Sequence, residues 1–469
     1  MKQDELIKYF NRHAETRDHW KARNWYYHRT LERLLRFIIP EKGSVLEIGS
    51  GTGDLLAHLK PSRGLGIDIS PAMIGVAGKK YPHLEWRAGD AENLALGERF
   101  DYVVLSDLIG FADDIERVFA GLSAVTHPRS RVVITYYNYF WEPILRLSEI
   151  FHLKARQPLQ NWMSPKDIEN MLTLAGFEVI KSGNKMIFPV WIPFLSAFLN
   201  TFVANLPLIS RLGVIQYVVA RPRPEGKREY SVSIVIPCRN EKGNIKNAVE
   251  RTPQFGTYTE IIFVESGSHD GTFEEIKRVA EEYAGKKNIR YFEHGPNGTK
   301  GSCVRQGFRE AKGDVLMILD ADLTMQPEDL PKYYRAIASG RGEFINGSRL
   351  VYQLEDESMR FLNILGNKFF SIMFSWLLGQ RLKDTLCGTK VLFKLDYEKI
   401  ADGRKYFGDF DPFGDFDLLF GAAKLNLKIV EIPIRYQART YGSTQIQRWR
   451  HGRLLLKMTF FAMRKIKFI

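Results

Sequence analysis

The sequence predicts an α/β protein built from two doubly wound domains, and three observations carry that reading. Short apolar strands alternate with helical patterns in both halves, as in a parallel sheet covered by helices on both faces. Turns rich in glycine or acidic residues follow those strands, at the end where open α/β sheets hold ligands. A stretch dense in proline and charge, "RPRPEGKREY", separates the halves as a linker. The 469 residues suit two domains. They are expected at 1–222 and 231–469, joined by 223–230.

In the first domain, "GSVLEIGSGTGDLL" is a strand that runs into a loop holding Gly49, Gly51 and Gly53, then into a helix. Glycines there let the backbone turn sharply and approach a ligand at the helix N-terminus. The dinucleotide spacing G-x-G-x-x-G fails because Asp54 takes the sixth place. The pattern is instead E-x-G-x-G-x-G, with Glu47 in the strand end. A second strand, "GLGID", ends in Asp68, a carboxylate suited to a ribose diol. A third, "LEWRAGD", ends in Asp90. "FDYVVLSDL" and "SRVVITYYN" follow as the fourth and fifth.

These motifs resemble a class I S-adenosylmethionine-dependent methyltransferase over about residues 30 to 222. The resemblance implies S-adenosylmethionine as cofactor. It places Glu47, Gly49, Ser50 and Gly51 at the methionine end, Asp68 at the ribose and Asp90 at the adenine amine, with Gly53 and Ala91 in the same binding set. The segment "SDLIGF" after the fourth strand lacks the NPPY-type signature of amide or base N-methylation, which weakens that reading and keeps a hydroxyl or carboxylate acceptor open. No general base is identified. Asp107, His28 and Tyr136 are candidates for the acceptor side, a structural role being the simpler reading of each.

A methyltransferase sheet of this kind closes with a helix and two antiparallel strands. "SPKDIENMLTLAG" has a Ser164 cap, Pro165 in the first turn and Gly176 at its end. "FEVIKSGN" and "VIQYVVARP" are then the last strands. Between them runs "MIFPVWIPFLSAFLNTFVANLPLIS", without a charge from Met186 to Ser210. About 20 apolar residues suffice to cross a bilayer. A hairpin connection must return to its own sheet, however, and Pro189, Pro193 and Pro207 break the run. The expectation is a surface segment lying in the lipid interface.

In the second domain, "SVSIVIPCRNEKGNI", "TEIIFVESGSHDGTFEEI" and "GDVLMILDADLTMQPEDL" are strands leading into polar loops. The third ends in Asp320-Ala-Asp322, and alternation puts both carboxylates on one side. Paired acids are costly to bury without a cation. A divalent ion bridging to a diphosphate meets that need, and hard oxygen ligands suit Mg²⁺ or Mn²⁺.

From about Tyr230 to Tyr441 this half resembles a family 2 glycosyltransferase of the GT-A fold, most like dolichol- or polyprenyl-phosphate mannosyl- and glucosyltransferases. The resemblance implies a nucleotide-diphospho-sugar donor and a polyprenyl-phosphate or glycolipid acceptor. Pro237, Arg239, Asn240 and Glu241 of "IVIPCRNE" would surround the nucleotide. Glu265 of "ESGSHDGT" would face the base, and Ser266 stands where the family has a second acid. Ser268, Asp270, Lys300, Asp320 and Ala321 complete the donor set, and Asp320 and Asp322 would hold the metal. Gln326 and Pro327 keep the family register. Asp322, Asp417, Asp415 and Arg349 are the catalytic candidates. Lys390, Arg439, Arg448 and Arg450 would meet the acceptor phosphate, the last two standing in for the family's lysine where this chain has Gln445. A lipid phosphate is already an anion and needs little base catalysis, whereas a sugar hydroxyl would require Asp417 or Asp415 as base.

Composition narrows the partners. Net charge is +13, and from Ile432 onward there are nine Lys or Arg and no Asp or Glu. The basic residues alternate with apolar ones and no nucleic-acid motif accompanies them, so no nucleic acid is expected. Arg450, Arg453, Lys457 and Arg464 form a cationic stripe beside Leu454, Met458 and Phe461, as in an interfacial helix. The uncharged run Phe369–Gln380 is too short to cross. Cys238, Cys303 and Cys387 are scattered, which argues against zinc and against a disulfide framework. The N-terminal segment lacks the apolar core of a secretory signal. Together these point to a bifunctional enzyme of glycan or glycolipid synthesis, peripheral or monotopic at the cytoplasmic face of the membrane. The alternative is a hydroxyl-acceptor glycosyltransferase whose first domain only binds S-adenosylmethionine.

Overall fold

The computed structural model describes residues 3–349, 361–406, 414–435, 437, 439, 441 and 448–468, with the backbone alone for 361–365, 367 and 448–452. The chain divides into two units, Met1–Arg223 with Lys467–Ile469, and Pro224–Ile466.

The first unit is a sheet of seven strands: β1 (Ser44–Ile48), β2 (Arg63–Asp68), β3 (Glu85–Ala88), β4 (Phe100–Ser106), β5 (Thr126–Tyr137), β6 (Phe177–Lys185) and β7 (Ile215–Pro222). Their order is β3-β2-β1-β4-β5-β7-β6. The first five are parallel, and β7 runs antiparallel to β5 and β6. The central strands are buried on both faces, which is why they read as unbroken apolar runs rather than alternating ones. Leu46, Val103 and Val132 point to a layer with Phe119, Leu122 and Ile168. Val45, Val104 and Val133 point to the opposite layer with Leu35, Ile38 and Leu56. Strand order reverses between β1 and β4, which opens a crevice beyond their carboxyl ends.

The expected closing elements are present. Helix Pro165–Leu174 starts on a capping box in which Ser164 and Asp167 each accept from the other's backbone N–H. Strands β6 and β7 pair from Phe177↔Pro222 to Lys185↔Ile215, so both ends of the apolar run meet at one place in the sheet.

That run folds as a short helix, Leu195–Thr201, and two 3₁₀ turns, Val203–Asn205 and Ile209–Leu212. Its polar residues face inward. Ser196 Oγ donates to Val190 O and accepts from Ile192 N. Asn200 Oδ1 accepts from the N–H groups of Ile187 and Phe188, and its Nδ2 donates to Phe188 O and Tyr26 OH. Met186 and Ala204 are buried, but many of the apolar residues face outward, with Phe194 91% exposed and Leu208 76%. Among the described residues no helix is long and apolar enough to cross a membrane.

The second unit holds β8 (Ser231–Cys238), β9 (Tyr258–Glu265), β10 (Asn288–Glu293), β11 (Val315–Ile318), β12 (Phe344–Ser348), β13 (Lys390–Phe393) and β14 (Ile429–Pro433). The order is β10-β9-β8-β11-β13-β12-β14, with β13 antiparallel to β11 and β12. The stretch read as a linker is partly tied to this unit: Arg228 N–H donates to Ala338 O and Tyr230 N–H to Tyr334 OH.

Helix Arg448–Ile466 departs from the expected stripe in one respect. Arg453, Lys457 and Arg464 are exposed, but Met458 is buried with Leu455 and Ala462, and the apolar residues beside the cations are Leu456 and Phe460. The helical period puts positions 453, 456, 457, 460 and 464 on one face and 455, 458 and 462 on the face turned inward. In the other apolar run, Phe369 and Ile372 are exposed, whereas Phe374, Leu377 and Leu378 are core.

One packing constraint ties β2 to the glycine loop. A Cβ on Gly66 would lie 2.3 Å from the Trp86 ring, and one on Gly53 would lie 2.4 Å from it. Gly66 has no positive φ, so Gly66→Ala tests overpacking without backbone strain. We expect a loss of about 1–3 kcal/mol. It would be read as a lower urea midpoint at unchanged slope.

Candidate functional sites

In the first unit the loop after β1 is shaped by Gly49, Gly51 and Gly53, at φ +79°, +53° and +83°. The N–H groups of Gly49 and Ser50 donate to Ile67 O at 2.7 and 2.9 Å and tie the loop to β2. At the end of β2, Asp68 Oδ2 accepts from Gly51 N (2.8 Å) and Oδ1 from Ser70 N (2.9 Å). Burial raises its proton affinity, and those two N–H groups oppose the shift. Asp90 accepts from Gln3 Nε2, Glu92 N and Asn93 Nδ2.

A cavity of about 400 Å³ brings Gly49, Gly51, Asp68, Asp90 and Ala91 together. Glu47, Ser50 and Gly53 do not line it. Glu47 is 2% exposed, and its Oε2 accepts from Leu56 N at 3.0 Å. Burial pushes its carboxyl up to about 8. Ser50 is buried with its Oγ unpartnered, and Gly53 makes room for Trp86.

Two N-terminal helices that the sequence reading did not use, Gln3–His13 and Arg17–Arg23, form part of the wall through Gln3, Leu6, Phe10, Arg17, Trp20 and Lys21. The second is pinned to the glycine loop. Lys21 Nζ lies 2.6 Å from Asp54 Oδ2 and 2.9 Å from Thr52 Oγ1, and Lys80 bridges Asp18 and Asp54. The available signal was the spacing of Leu6 and Phe10 on one helical face.

The same cavity also holds Asp107, at φ +54° just past β4. Tyr27 OH donates to Asp107 Oδ2 at 2.9 Å, while Oδ1 is shielded and has no partner. Burial pushes this carboxyl up to about 6, against the pull of Tyr27, Arg17 and Lys154. His28 also lines the cavity, and burial drops it to about 3, so it is a neutral, weak base. Lys154 pairs with Glu149 at 2.9 Å. Tyr136 lies in the core layer with Ile134 and Ile168; its neighbour Tyr137 lines the cavity instead. Successive residues of a strand face opposite sides, so the error is one of parity.

In the second unit, the acids sit beyond the carboxyl ends of β8, β9 and β11. Lys300 Nζ lies 2.6 Å from Asp320 Oδ1. Burial alone would raise Asp320, but Lys300 outweighs it and holds the carboxyl below its usual range. Asp322 Oδ2 accepts from Arg439 Nη2 at 2.7 Å, and Arg439 Nη1 reaches Glu241 Oε1 at 3.0 Å. Glu265 Oε1 accepts from Ser268 N, and Ser268 Oγ accepts from Asn240 N. Asp270 accepts from the N–H groups of Lys242 and Thr272. Pro237 is the next-to-last residue of β8, Arg239 is exposed, and Ala321 is core.

Gly388 marks the closest approach. A Cβ there would lie 2.0 Å from Asp320 Oδ2 and 2.6 Å from Lys300 Nζ. Lys390 is fully buried, 3.6 Å from Asp415 Oδ1. Two predicted residues have partners that the sequence did not indicate. Arg349 grips Asp384 through Nε (2.7 Å) and Nη2 (2.8 Å). Asp417 pairs with Arg404 at 2.7 Å. Gln445 and the side chains of Arg448 and Arg450 lie outside the described residues. Among the described residues no group of three or more His, Cys, Asp or Glu gathers as a ready-made metal site. The carboxylates of Asp320 and Asp322 are nevertheless a hard-oxygen pair that fits a divalent ion sharing its shell with a diphosphate.

Similarity to known proteins agrees with this division. Residues 19–182 match the family described as Methyltransferase domain, and residues 233–396 match Glycosyl transferase family 2. A dolichol-phosphate mannosyltransferase of Pyrococcus furiosus is 30% identical over 219 residues, covering 46% of this chain and 59% of that one. An undecaprenyl-phosphate 4-deoxy-4-formamido-L-arabinose transferase of Aeromonas hydrophila is 33% identical over 118 residues, 23% of this chain and 34% of that one. The chain therefore spans less than two thirds of either relative. Among solved structures, a SAM-dependent methyltransferase of Thermotoga maritima, described as a possible histamine N-methyltransferase, is 19% identical with a TM-score of 0.38, covering 47% of this chain and 100% of that one.

The Lys300–Asp320 pair gives a stability prediction. A carboxyl held low in the folded state stabilises above its unfolded value, and that contribution is lost as pH falls through the folded value. Lys300→Met should therefore destabilise the second unit at pH 7 by about 2 kcal/mol, between the exposed-pair and buried-pair ranges. The deficit should persist down to about pH 4 and shrink only below it, as wild type loses the pair's contribution. Urea unfolding across that range measures it. With the two families placed on its two sheets, the chain is a methyltransferase domain joined to a family 2 glycosyltransferase domain.

Proposed function

We propose that the second domain transfers a sugar from a nucleotide-diphospho-sugar to a polyprenyl phosphate, and that the first methylates a sugar or related acceptor with S-adenosylmethionine. The observation that supports this best is the pairing pattern around Asp320. Lys300, Arg439 and Lys390 are drawn in by Asp320, Asp322 and Asp415, a mixed set suited to a metal–diphosphate and an acceptor phosphate together. Asp320 and Asp322 would hold Mg²⁺ or Mn²⁺, which supplies charge neutralisation for the departing diphosphate. Binding of that metal would release Lys300 and Arg439 from the two carboxylates and leave them to the phosphates. Glu241, Glu265, Ser268 and Asp270, with Asn240, order the loops around the nucleotide.

The phosphate acceptor is favoured over a hydroxyl because both candidate bases, Asp417 and Asp415, lie beside cations. Asp417 is held by Arg404 and Asp415 faces Lys390. A carboxylate engaged by a cation is a poor proton acceptor, whereas a phosphate oxygen needs none. Arg349, gripped by Asp384, reads as a positioning residue. In the first domain Asp68 and Asp90 would meet the ribose and adenine.

A membrane surface is supported by the inverted connection between β6 and β7, which hydrogen-bonds its polar side chains inward and offers Trp191, Phe194, Phe198 and Leu208 outward. The exposed Arg453, Lys457 and Arg464 would add about 1 kcal/mol each near anionic lipid. We place the protein at the cytoplasmic face, peripheral or monotopic.

Two measurements check this reading. Incubated with Mg²⁺ or Mn²⁺, polyprenyl phosphate and labelled nucleotide sugars, the chain should put label into the organic phase. Asp322→Ala should reduce that at least about 100-fold. Label only in water-soluble product would shift the reading to a hydroxyl acceptor. Anionic vesicles should also slow proteolysis within residues 186–210, and equal cleavage with and without them would refute the interfacial placement.

A further inference from the structure

We infer that the methyl acceptor is a hydroxyl carried on an amphiphile, entering the methyltransferase cavity from the apolar face of its domain, with Asp107 taking the hydroxyl proton. The inference rests on the reading that this domain uses S-adenosylmethionine, and it names the acceptor class.

The cavity lining combines two kinds of group. Gly49, Asp68 and Asp90 belong to the loops after β1, β2 and β3. Asp107, just past β4, belongs to the same lining, its Oδ2 accepting from Tyr27 OH and its Oδ1 without a partner. An unpartnered, shielded carboxylate oxygen is unfavourable in a folded protein and calls for a donor. A hydroxyl O–H is such a donor. The groups around Asp107 leave it as the base. Tyr27 donates to it, Arg17 and Lys154 are cations, desolvation keeps the Tyr137 phenol protonated, and His28 is held neutral and weakly basic.

Part of the lining is apolar. Trp141, Ile144, Leu145 and Leu153 contribute to it, as do Pro189 and Val190 of the connection between β6 and β7. Ile144 is 53% exposed and Val190 59%, so the same side chains form both cavity wall and outer surface. Around them Phe140, Leu147, Ile150, Phe151, Trp191 and Phe194 are exposed. An apolar surface of this kind marks a lipid or protein contact. Its continuity with the cavity selects an occupant with an apolar tail outside and a hydroxyl within.

In the step itself the hydroxyl oxygen attacks the methyl carbon. The O–C bond forms as the C–S bond breaks, and the bonding pair moves to sulfur to leave neutral S-adenosylhomocysteine. The hydroxyl proton passes to Asp107 and then to water, so charge and atoms balance without another reagent.

The test uses the full chain with labelled S-adenosylmethionine and a panel of hexose glycosides, each as the dodecyl and the methyl glycoside. Calorimetry of S-adenosylmethionine binding runs alongside. Methylation of dodecyl glycosides at least about 10-fold above their methyl counterparts is expected. Asp107→Asn should abolish about 100-fold or more of that rate at unchanged cofactor affinity. It should also remove the rise of wild-type kcat/KM through about pH 6. Ile144→Asp should lower turnover of the dodecyl series alone. Equal rates on both series, or full activity of Asp107→Asn, would overturn the inference, as would cofactor binding with no methylated glycoside. Failure to bind S-adenosylmethionine would instead bring down the methyltransferase reading beneath it.

Discussion

The need to keep carboxylates at the ends of buried parallel strands governs both halves of this molecule. Removing a carboxylate from water costs several kcal/mol unless donors or cations replace the lost solvent. Strand topology delivers acids to that position repeatedly: Glu47, Asp68 and Asp107 in the first unit, and Glu265, Asp320 and Asp322 in the second. The two domains answer differently. The first uses neutral donors, Leu56 N–H for Glu47, Gly51 and Ser70 N–H for Asp68, and Tyr27 OH for Asp107. The second uses cations, with Lys300, Arg439, Lys390, Arg404 and Arg349 each committed to an acid.

That difference sets what each site can do. Neutral donors stabilise an anion less than a cation does, so burial wins and the carboxyls of Glu47 and Asp107 rise to about 8 and about 6. A carboxyl near 6 can exchange a proton close to neutral pH, which is what proton removal during methyl transfer requires. Cation partners act the other way and hold Asp320 ionised. Anions fixed beside cations are poor bases. Gly388 keeps the Asp320–Lys300 pair compact, since any side chain there would occupy the place of the carboxylate and the ammonium.

Much of this was legible in the sequence because local rules dominate it. The strands, the glycine loop, the Ser164 cap and the paired acids after β11 all follow from period, turn chemistry and alternation. The rest depends on contacts far apart in the chain. Gln3 reaches Asp90 and Lys21 reaches Asp54, so helices that look unremarkable in isolation become cavity wall. Arg349 and Asp384 are separated by 35 positions and Arg404 and Asp417 by 13, and nothing local marks them as pairs. Tyr136 and Tyr137 show the limit of an alternation argument, where one residue of parity moves a phenol from core to cavity. Met458 shows the same limit on a helix, where the apolar face turned out to be inward.

The uncharged run from Met186 to Ser210 joins these threads. Hydropathy alone fits a membrane span, and topology forbids it, because Lys185 and Ile215 are register partners in one sheet. A chain forced to return so soon cannot bury both its backbone and its apolar side chains. It satisfies the backbone, spending Ser196 and Asn200 on it, and leaves the phenylalanines and leucines outside. The first residues of the run, Pro189 and Val190, are meanwhile cavity wall. One segment therefore carries both cavity wall and exposed apolar surface.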